Sequence, residues 1–372
     1  MKVLITDADY HNALAAVRAL GKSGAFVVSC SHKRFAQSFY SNYSMKNIRC
    51  PPPTSELFSR YIRDIIDEMD IDVVIPIGYD TTISLSRDLE VMGIDKRIPV
   101  AEWNRLEIAS DKEKTVDFAR ELGIPIPKTF RNVDDVDSFP VVVKGKKGAG
   151  RIRYVNSISE LMAIDLADSI IQEYIRGEGF GFFALFNHGK ERAIFMHRRI
   201  REFPITGGPS TCAESIYDEK LLKLGMKILR ALKWHGVAMI EMKKDIKTGD
   251  FKLIEINPKF WGSLDLAISS GINFPYLLSK MTIDGDIEPI LEYKIGVRFR
   301  WVFPNEIMYM ISNPAFAPRF FSEFLDKNSR TNIQIDDLLP NMFQMIMTLP
   351  AILRRMKKGG LKAPHGTPRL NA

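Results

Sequence analysis

Val141-Val142-Val143-Lys144-Gly145-Lys146-Lys147-Gly148-Ala149-Gly150 is the stretch on which the reading of this chain turns. Three β-branched residues read as a buried strand that delivers Lys144. The three glycines that follow within six residues let the backbone approach a ligand and turn its N–H groups toward phosphate oxygens. Gly145 and Gly150 have the spacing of a P-loop, but Arg151-Ile152 stands where that loop requires Lys-Ser/Thr, and a second strand, Ile152 to Val155, follows instead of a helix. Alone, the stretch could equally be written off as a hairpin loop with solvated lysines. Its neighbours have to decide.

Upstream, the pattern alternates strand and helix. Lys2 to Thr6 is a short β-branched run, and Leu14, Val17, Arg18, Leu20 and Gly21 then fall at helical spacing. Ala25 to Cys30, the amphipathic Leu57 to Met69 and the run Asp72 to Pro76 repeat the alternation, which predicts a doubly wound parallel α/β sheet. The first turn, Asp7-Ala8-Asp9-Tyr10-His11-Asn12, lacks the G-x-G-x-x-G of a dinucleotide site, so a Rossmann oxidoreductase is disfavoured. Asp7, Asp9, His11 and Asp80 lie at strand ends, where open α/β sheets bind ligands, and are candidate acceptor-site residues. Ser110-Asp111-Lys112 opens a further helix, with Ser110 or Asp111 as cap and Glu113 in its first turn, running to Gly123 before Ile-Pro-Ile-Pro.

Downstream, the pattern becomes β-rich, with strands expected at Ile170 to Tyr174, Phe180 to Asn187 and Ala193 to Arg199, and a turn at Asn187-His188-Gly189. A hairpin pairs Val237 to Glu241 with Leu253 to Pro258 through Lys247-Thr248-Gly249-Asp250. Alternation puts Glu255 and Asn257 on one face and lets the neighbouring strand place Glu241 beside them. Three oxygen donors on one rigid face suit Mg²⁺ completed by substrate phosphates. Ile170-Ile171-Gln172-Glu173-Tyr174-Ile175-Arg176-Gly177-Glu178-Gly179 reads as a strand ending in a hinge whose backbone could meet a base edge.

Lys and Arg number 52 against 45 Asp and Glu, a net charge of +7. Six of those charges, Arg354, Arg355, Lys357, Lys358, Lys362 and Arg369, lie in a stretch from Leu338 to Ala372 that has no acid. The rest is nearly neutral, which argues against a nucleic-acid binder with basic charge spread through its fold. Cys30, Cys50 and Cys212 are too scattered for a disulfide framework or a metal site. The six histidines show no ligand spacing and read as surface or hydrogen-bonded residues. With no apolar leader and no run long enough to span a bilayer, a cytoplasmic protein is expected. In the apolar-then-basic segment from Leu338 to Lys358 a helix is expected over Leu338 to Met356, read as packed on the fold and followed by a solvated tail, with contact at the inner face of a membrane as the alternative.

Taken in order, these motifs resemble the ATP-grasp superfamily, over about residues 1 to 279. They are Asp111-Lys112 opening a helix that ends in Gly-Ile-Pro-Ile-Pro, Val-Val-Val-Lys144 with its glycine loop, Gln-Glu-Tyr-Ile-x-Gly-Glu, and Glu241 ahead of Glu255-x-Asn257-Pro. The resemblance implies a parallel α/β domain over 1–109, a two-subdomain α+β ATP-grasp unit over 110–290 with a lid near 125–175, and a C-terminal extension over 291–372. It further implies that Lys112 and Lys144 contact the phosphates of ATP, that the loop with Gly145, Gly148 and Gly150 covers them, and that Glu173, Tyr174 and Ile175 read adenine. Glu178 would hold the ribose, and Glu241, Glu255 and Asn257 would ligate Mg²⁺, with Mn²⁺ as an alternative.

Many members carry Arg two residues after the metal-binding Asn. Here the position is Lys259, which keeps the charge and loses the bidentate fork. Arginine could come instead from His197-Arg198-Arg199-Ile200-Arg201-Glu202-Phe203-Pro204-Ile205-Thr206-Gly207-Gly208-Pro209, which looks like a loop of carboxylate–amine ligases related to the carbamoyl-phosphate synthase large chain. Arg199 and Arg201 are expected on one strand face, touching substrate or γ-phosphate, and with Lys259 form the candidate catalytic set. The implied activity is C–N ligation through an acyl phosphate, with small-molecule carboxylate and amine substrates and ADP and phosphate as products. A phosphotransferase, a carboxylase or an ATP-binding scaffold without turnover are the alternatives.

Overall fold

The computed structural model describes residues 1–93, 95–148, 152–204, 208–357 and 367–368. Four strands, β1 (Lys2–Ile5), β2 (Phe26–Ser31), β3 (Lys46–Arg49) and β4 (Val73–Ile75), form a parallel sheet in the order β3-β2-β1-β4. Successive residues of β1 enter different cores. Val3 and Ile5 pack with Ala13, Val17 and Leu20 of the helix His11–Lys22, whereas Leu4 packs with Phe58, Ile62 and Ile66 of the helix Phe58–Met69. Both faces are therefore covered, as the continuous β-branched runs predicted. β3 was not foreseen: it is a largely exposed edge strand, Lys-Asn-Ile-Arg, without an apolar signature.

β5 (Thr129–Phe130), β6 (Val141–Gly145), β7 (Ile152–Val155) and β8 (Ser169–Glu173) make a small antiparallel sheet in the order β5-β8-β6-β7. It has its own core of Phe130, Val141, Val143, Val155, Leu161 and Ile171. The remaining strands form one seven-stranded sheet. They are β9 (Gly177–Asn187), β10 (Lys190–Glu202), β11 (Ser210–Ser215), β12 (Gly236–Asp245), β13 (Phe251–Asn257), β14 (Arg298–Arg300) and β15 (Ser329–Thr331), ordered β13-β12-β9-β10-β11-β14-β15.

One face of the large sheet shares a core with the N-terminal sheet, where Phe183, Phe195 and Met239 meet Phe260, Trp261 and Phe274. The other face packs the helices Trp103–Ser110 and Glu219–Ala231 around Phe182, Phe186 and Trp234. Residues beyond 290 return to this sheet as β14 and β15, so the sheet crosses the boundary expected there. The stretch between those strands contains the short helices Ile307–Ser312 and Ala317–Ser322.

A buried ion pair ties the C-terminal part to the first domain. Arg18 Nε lies 2.7 Å from Asp337 Oδ2, and the same carboxylate accepts from Ser41 Oγ and the Asn42 N–H, each at 2.8 Å. The helix Leu339–Lys357 follows, close to the expected bounds, with Phe343 stacked on Tyr40 at 4.4 Å between centroids. The tail residues Lys358, Lys362 and Arg369, and Gly150 and Gly207 of the two glycine loops, lie outside the described residues.

Candidate active site

A cleft of about 840 Å³ opens between the small sheet and the large one. Its end beside the glycine loop is built by helix capping. Asp111 accepts from the N–H groups of Glu113 (3.0 Å) and Lys114 (3.3 Å), which starts the helix Lys112–Glu121 and fixes where Lys112 points. The Lys112 N–H donates to Lys146 O (2.8 Å) and its Nζ to Gly148 O (2.9 Å), so the glycine loop rests on the helix start. Gly148 has φ +65°, a left-handed conformation that glycine adopts without strain. Gly145 ends β6 and borders the cleft.

Lys144 comes off the buried end of β6, and its Nζ donates to Gln172 Oε1 at 3.2 Å. Burial lowers its pKa to about 8, against the pull of Glu255 and Glu241. A buried ammonium with one neutral acceptor is a strong site for an anion.

The expected carboxylate face forms as alternation required, because Glu241 on β12 pairs directly with Glu255 on β13, and Met239 with Asn257. Arg199 Nη2 lies 2.7 Å from Glu241, Lys112 Nζ 3.6 Å from Glu255, and Asn257 Nδ2 donates to Glu255 Oε1 at 2.7 Å. Burial holds Glu241 above the usual carboxylate range in spite of Arg199. It would raise Glu255 too, but Lys112, Asn257 and Lys144 together hold that carboxyl low. Among the described residues no three His, Cys, Asp or Glu side chains converge. Two carboxylates and an amide are nevertheless hard oxygen donors that leave room for phosphate oxygens, and Glu241, Glu255 and Asn257 fit Mg²⁺ on that ground.

At the other end of β8 the Glu173 carboxylate accepts from the Lys128 N–H (2.8 Å) and from Lys252 Nζ (2.7 Å). The Tyr174 N–H donates to Pro140 O and Lys243 Nζ to Ile175 O, at 3.2 and 3.3 Å. The hinge is thus braced between both sheets, with Glu178 exposed at the cleft edge. Lys243 was missed, although it stands two residues after Glu241 and so shares its strand face.

The two candidate arginines of β10, Arg199 and Arg201, do not behave as a pair. The pairing of β10 with β11 shifts between Arg199 and Arg201. Arg199 lies half-buried against Glu241 and Glu202, and its Nε has no hydrogen-bond partner. Arg201 borders the cleft, yet its guanidinium binds Glu306 (2.5 Å) and Glu323 (2.6 Å) and lies over Phe316. Glu306 and Glu323 come from the unforeseen helical stretch after β14, so nothing near Arg201 in sequence announced them. Lys259 is half-buried with Nζ 3.4 Å from Phe260 O, and the desolvation lowers its pKa against the pull of Glu255 and Asp7.

Beyond Lys259 the cleft wall is neutral and polar. His197 Nε2 lies 2.7 Å from Ser263 Oγ, and burial, with Arg199 nearby, lowers the imidazole to about 3, so it is uncharged. His11 Nε2 lies 3.0 Å from Gly262 O. His197 could have been found by the alternation that puts it on the same face as Arg199. Asp7 is instead a brace: it accepts from Thr6 Oγ1, the Gly78 N–H and Thr81 Oγ1 at 2.6 to 2.8 Å. Asp9 accepts from Ser31 Oγ at 2.6 Å, and Asp80 sits exposed in the first turn of the helix Tyr79–Met92.

Residues 165–303 match the family model described as ATP-grasp in the biosynthetic pathway with Ter operon. The carbamoyl phosphate synthase large chain of Methanobrevibacter smithii is 24% identical over a 296-residue alignment covering 67% of this chain and 28% of that one, so this chain spans 28% of the length of that curated relative. Among solved structures, the biotin carboxylase of Campylobacter jejuni superposes with a TM-score of 0.63 at 19% identity, over 80% of this chain and 74% of that one. The L-amino acid ligase of Bacillus licheniformis superposes with a TM-score of 0.61 at 18% identity, over 78% and 77%. The fold, the order of its motifs and these matches agree: residues 165–303 belong to an ATP-grasp domain, and the chain is similar to the carbamoyl phosphate synthase large chain.

Proposed function

We propose that this chain is an ATP- and Mg²⁺-dependent carboxylate–amine ligase, which activates a small carboxylate as an acyl phosphate and passes the acyl group to an amine, releasing ADP and phosphate. The observation that carries the reading is the convergence of Lys112, Lys144, Arg199 and Lys259 on the Glu241/Glu255/Asn257 face of one cleft. Such a cluster suits a triphosphate and an oxyanion together. Residues 1–109 and the ATP-grasp unit that starts at 110 are its working parts, with the residues after 290 completing the large sheet of that unit, and a cytoplasmic setting suits ATP as substrate.

Lys112 and Lys144 hold the phosphates under the Gly145–Gly148 loop, while Tyr174 and Ile175 present backbone to adenine and Glu178 meets the ribose. Glu173 braces that hinge. Mg²⁺, held by Glu241, Glu255 and Asn257 (Mn²⁺ would suit the same donors), would neutralise charge on the phosphates. Arg199 offers its unpartnered Nε, and Lys259 its ammonium, to the transferring phosphoryl and the acyl oxygens. Arg201 acts at one remove, by fixing the end of β10 through Glu306 and Glu323. The uncharged His197–Ser263 wall suits an amine entering as a neutral nucleophile.

The test is ADP release against pooled carboxylates and amines, with mass analysis of the product. Lys144→Ala and Glu241→Ala should each lower substrate-dependent ADP release by about 100-fold or more; full release by either variant rejects the assignment. A product without the amine would identify a carboxylase or phosphotransferase instead. Lys259 in place of arginine favours one further reading, ATP binding without turnover, whose signature is nucleotide-dependent thermal stabilisation with no ADP release from any pool.

A further inference from the structure

The helix Leu339–Lys357 has a held side and an unpartnered side. Its start is anchored where Arg18 Nη2 donates to Asn341 Oδ1 (2.9 Å) and where Phe343 stacks on Tyr40. Away from those contacts, Leu338, Met342, Met345 and Leu349 recur at spacings of four, three and four, with Leu339 and Ile346 beside them. All six are exposed, from 41% at Leu338 to 69% at Ile346. Spacing of this kind draws one continuous apolar stripe along a helix. The sequence then supplies charge of one sign: Arg354, Arg355, Lys357, Lys358, Lys362 and Arg369, with no acid after Asp337.

We propose that this face docks on an anionic lipid surface, the aliphatic side chains entering the headgroup boundary and the cations that follow them from Arg354 supplying the attraction to the phosphates. The two halves of the segment select this occupant together. An acidic protein or a nucleic acid would satisfy the cations but would leave a Leu/Met/Ile stripe in water, and the one aromatic nearby, Phe343, is already stacked on Tyr40. A second copy of the chain would cover the stripe but would bring like charges together. No helix among the described residues is long and apolar enough to cross a membrane, so the contact is one of lying on the surface.

The test uses the full chain and sedimentation with vesicles of equal parts phosphatidylglycerol and phosphatidylcholine. Wild type should pellet with these, should not pellet with pure phosphatidylcholine, and should be released by salt. Arg354→Gln/Arg355→Gln/Lys357→Gln should lower the partition coefficient by roughly 100-fold. Met342→Gln/Met345→Gln/Ile346→Gln should lower it while keeping every cation. All the substituted positions are at the surface or in the basic run, so unchanged melting temperatures should accompany the losses, and should the apolar variant unfold, the cation variant still decides. Absence of wild-type binding, equal binding to neutral vesicles or full retention by the cation variant overturns the proposal. So does a wild-type dimer in light scattering that the apolar variant dissolves. ADP release is measured without vesicles, so failure of the ligase reading and failure of this one are separate results.

Discussion

Lys144 owes its chemistry to its surroundings. In an unfolded chain its ammonium titrates near 10.5, whereas in the fold burial brings it to about 8. The folded protein therefore binds fewer protons than the unfolded chain between those values, so the burial penalty is carried in full below pH 8 and is relieved as pH rises from 8 to 10.5. ATP binding has the opposite preference, since it needs the cation. The dissociation constant for ATP should rise above pH 8, by up to about tenfold per pH unit until the bound-state pKa is reached, in calorimetric titrations from pH 7 to 9.5. Lys144→Arg should bind more weakly throughout but should flatten that rise, because guanidinium stays charged. A rise of equal slope in the variant would show that another group is titrating.

At the scale of elements, β9 and β10 position Arg199. A Cβ added at Gly179 would lie 2.9 Å from Arg199 Cδ, so the glycine is the space in which the arginine side chain lies. Gly179→Ala should push Arg199 off Glu241 without emptying the core. Substrate-dependent ADP release should fall by on the order of 100-fold, as for a displacement of about an ångström in a reacting group, with little change in melting temperature. The shifted pairing after Arg199 matters for the same reason. It leaves Arg199 facing the carboxylates and commits Arg201 to Glu306 and Glu323, a separation that simple alternation of side chains does not foresee. The helix Lys112–Glu121, by contrast, follows from local chemistry: the cap Asp111 and the first-turn Glu113 lie within three residues of sequence, and they set Lys112 under the loop.

For the whole molecule the revealing contact is Arg18 with Asp337, 319 residues apart and both buried. Asp337→Ala would leave Arg18 without its counter-charge and remove the acceptor for Ser41 and Asn42. It should cost about 3–5 kcal/mol in urea unfolding, and Arg18→Met in that background should recover part of the loss. No recovery would mean that the Asp337 hydrogen bonds, not the buried charge, dominate. The sequence by itself determined the parallel sheet, the capped helix, the Lys144 strand with its loop, and the facing of Glu241, Glu255 and Asn257, because each rests on strand alternation, helical spacing or a turn, interactions that span a few residues or one hairpin. Only the tertiary structure decided that Arg199 and Arg201 part company, that Asp7 is a brace, that the neutral His197–Ser263 pair lines the cleft, and that the residues after 290 complete the large sheet. Those outcomes depend on partners brought together from distant parts of the chain, and on burial, which sets the charge of Lys144 and His197 and leaves no mark on the local pattern of residues.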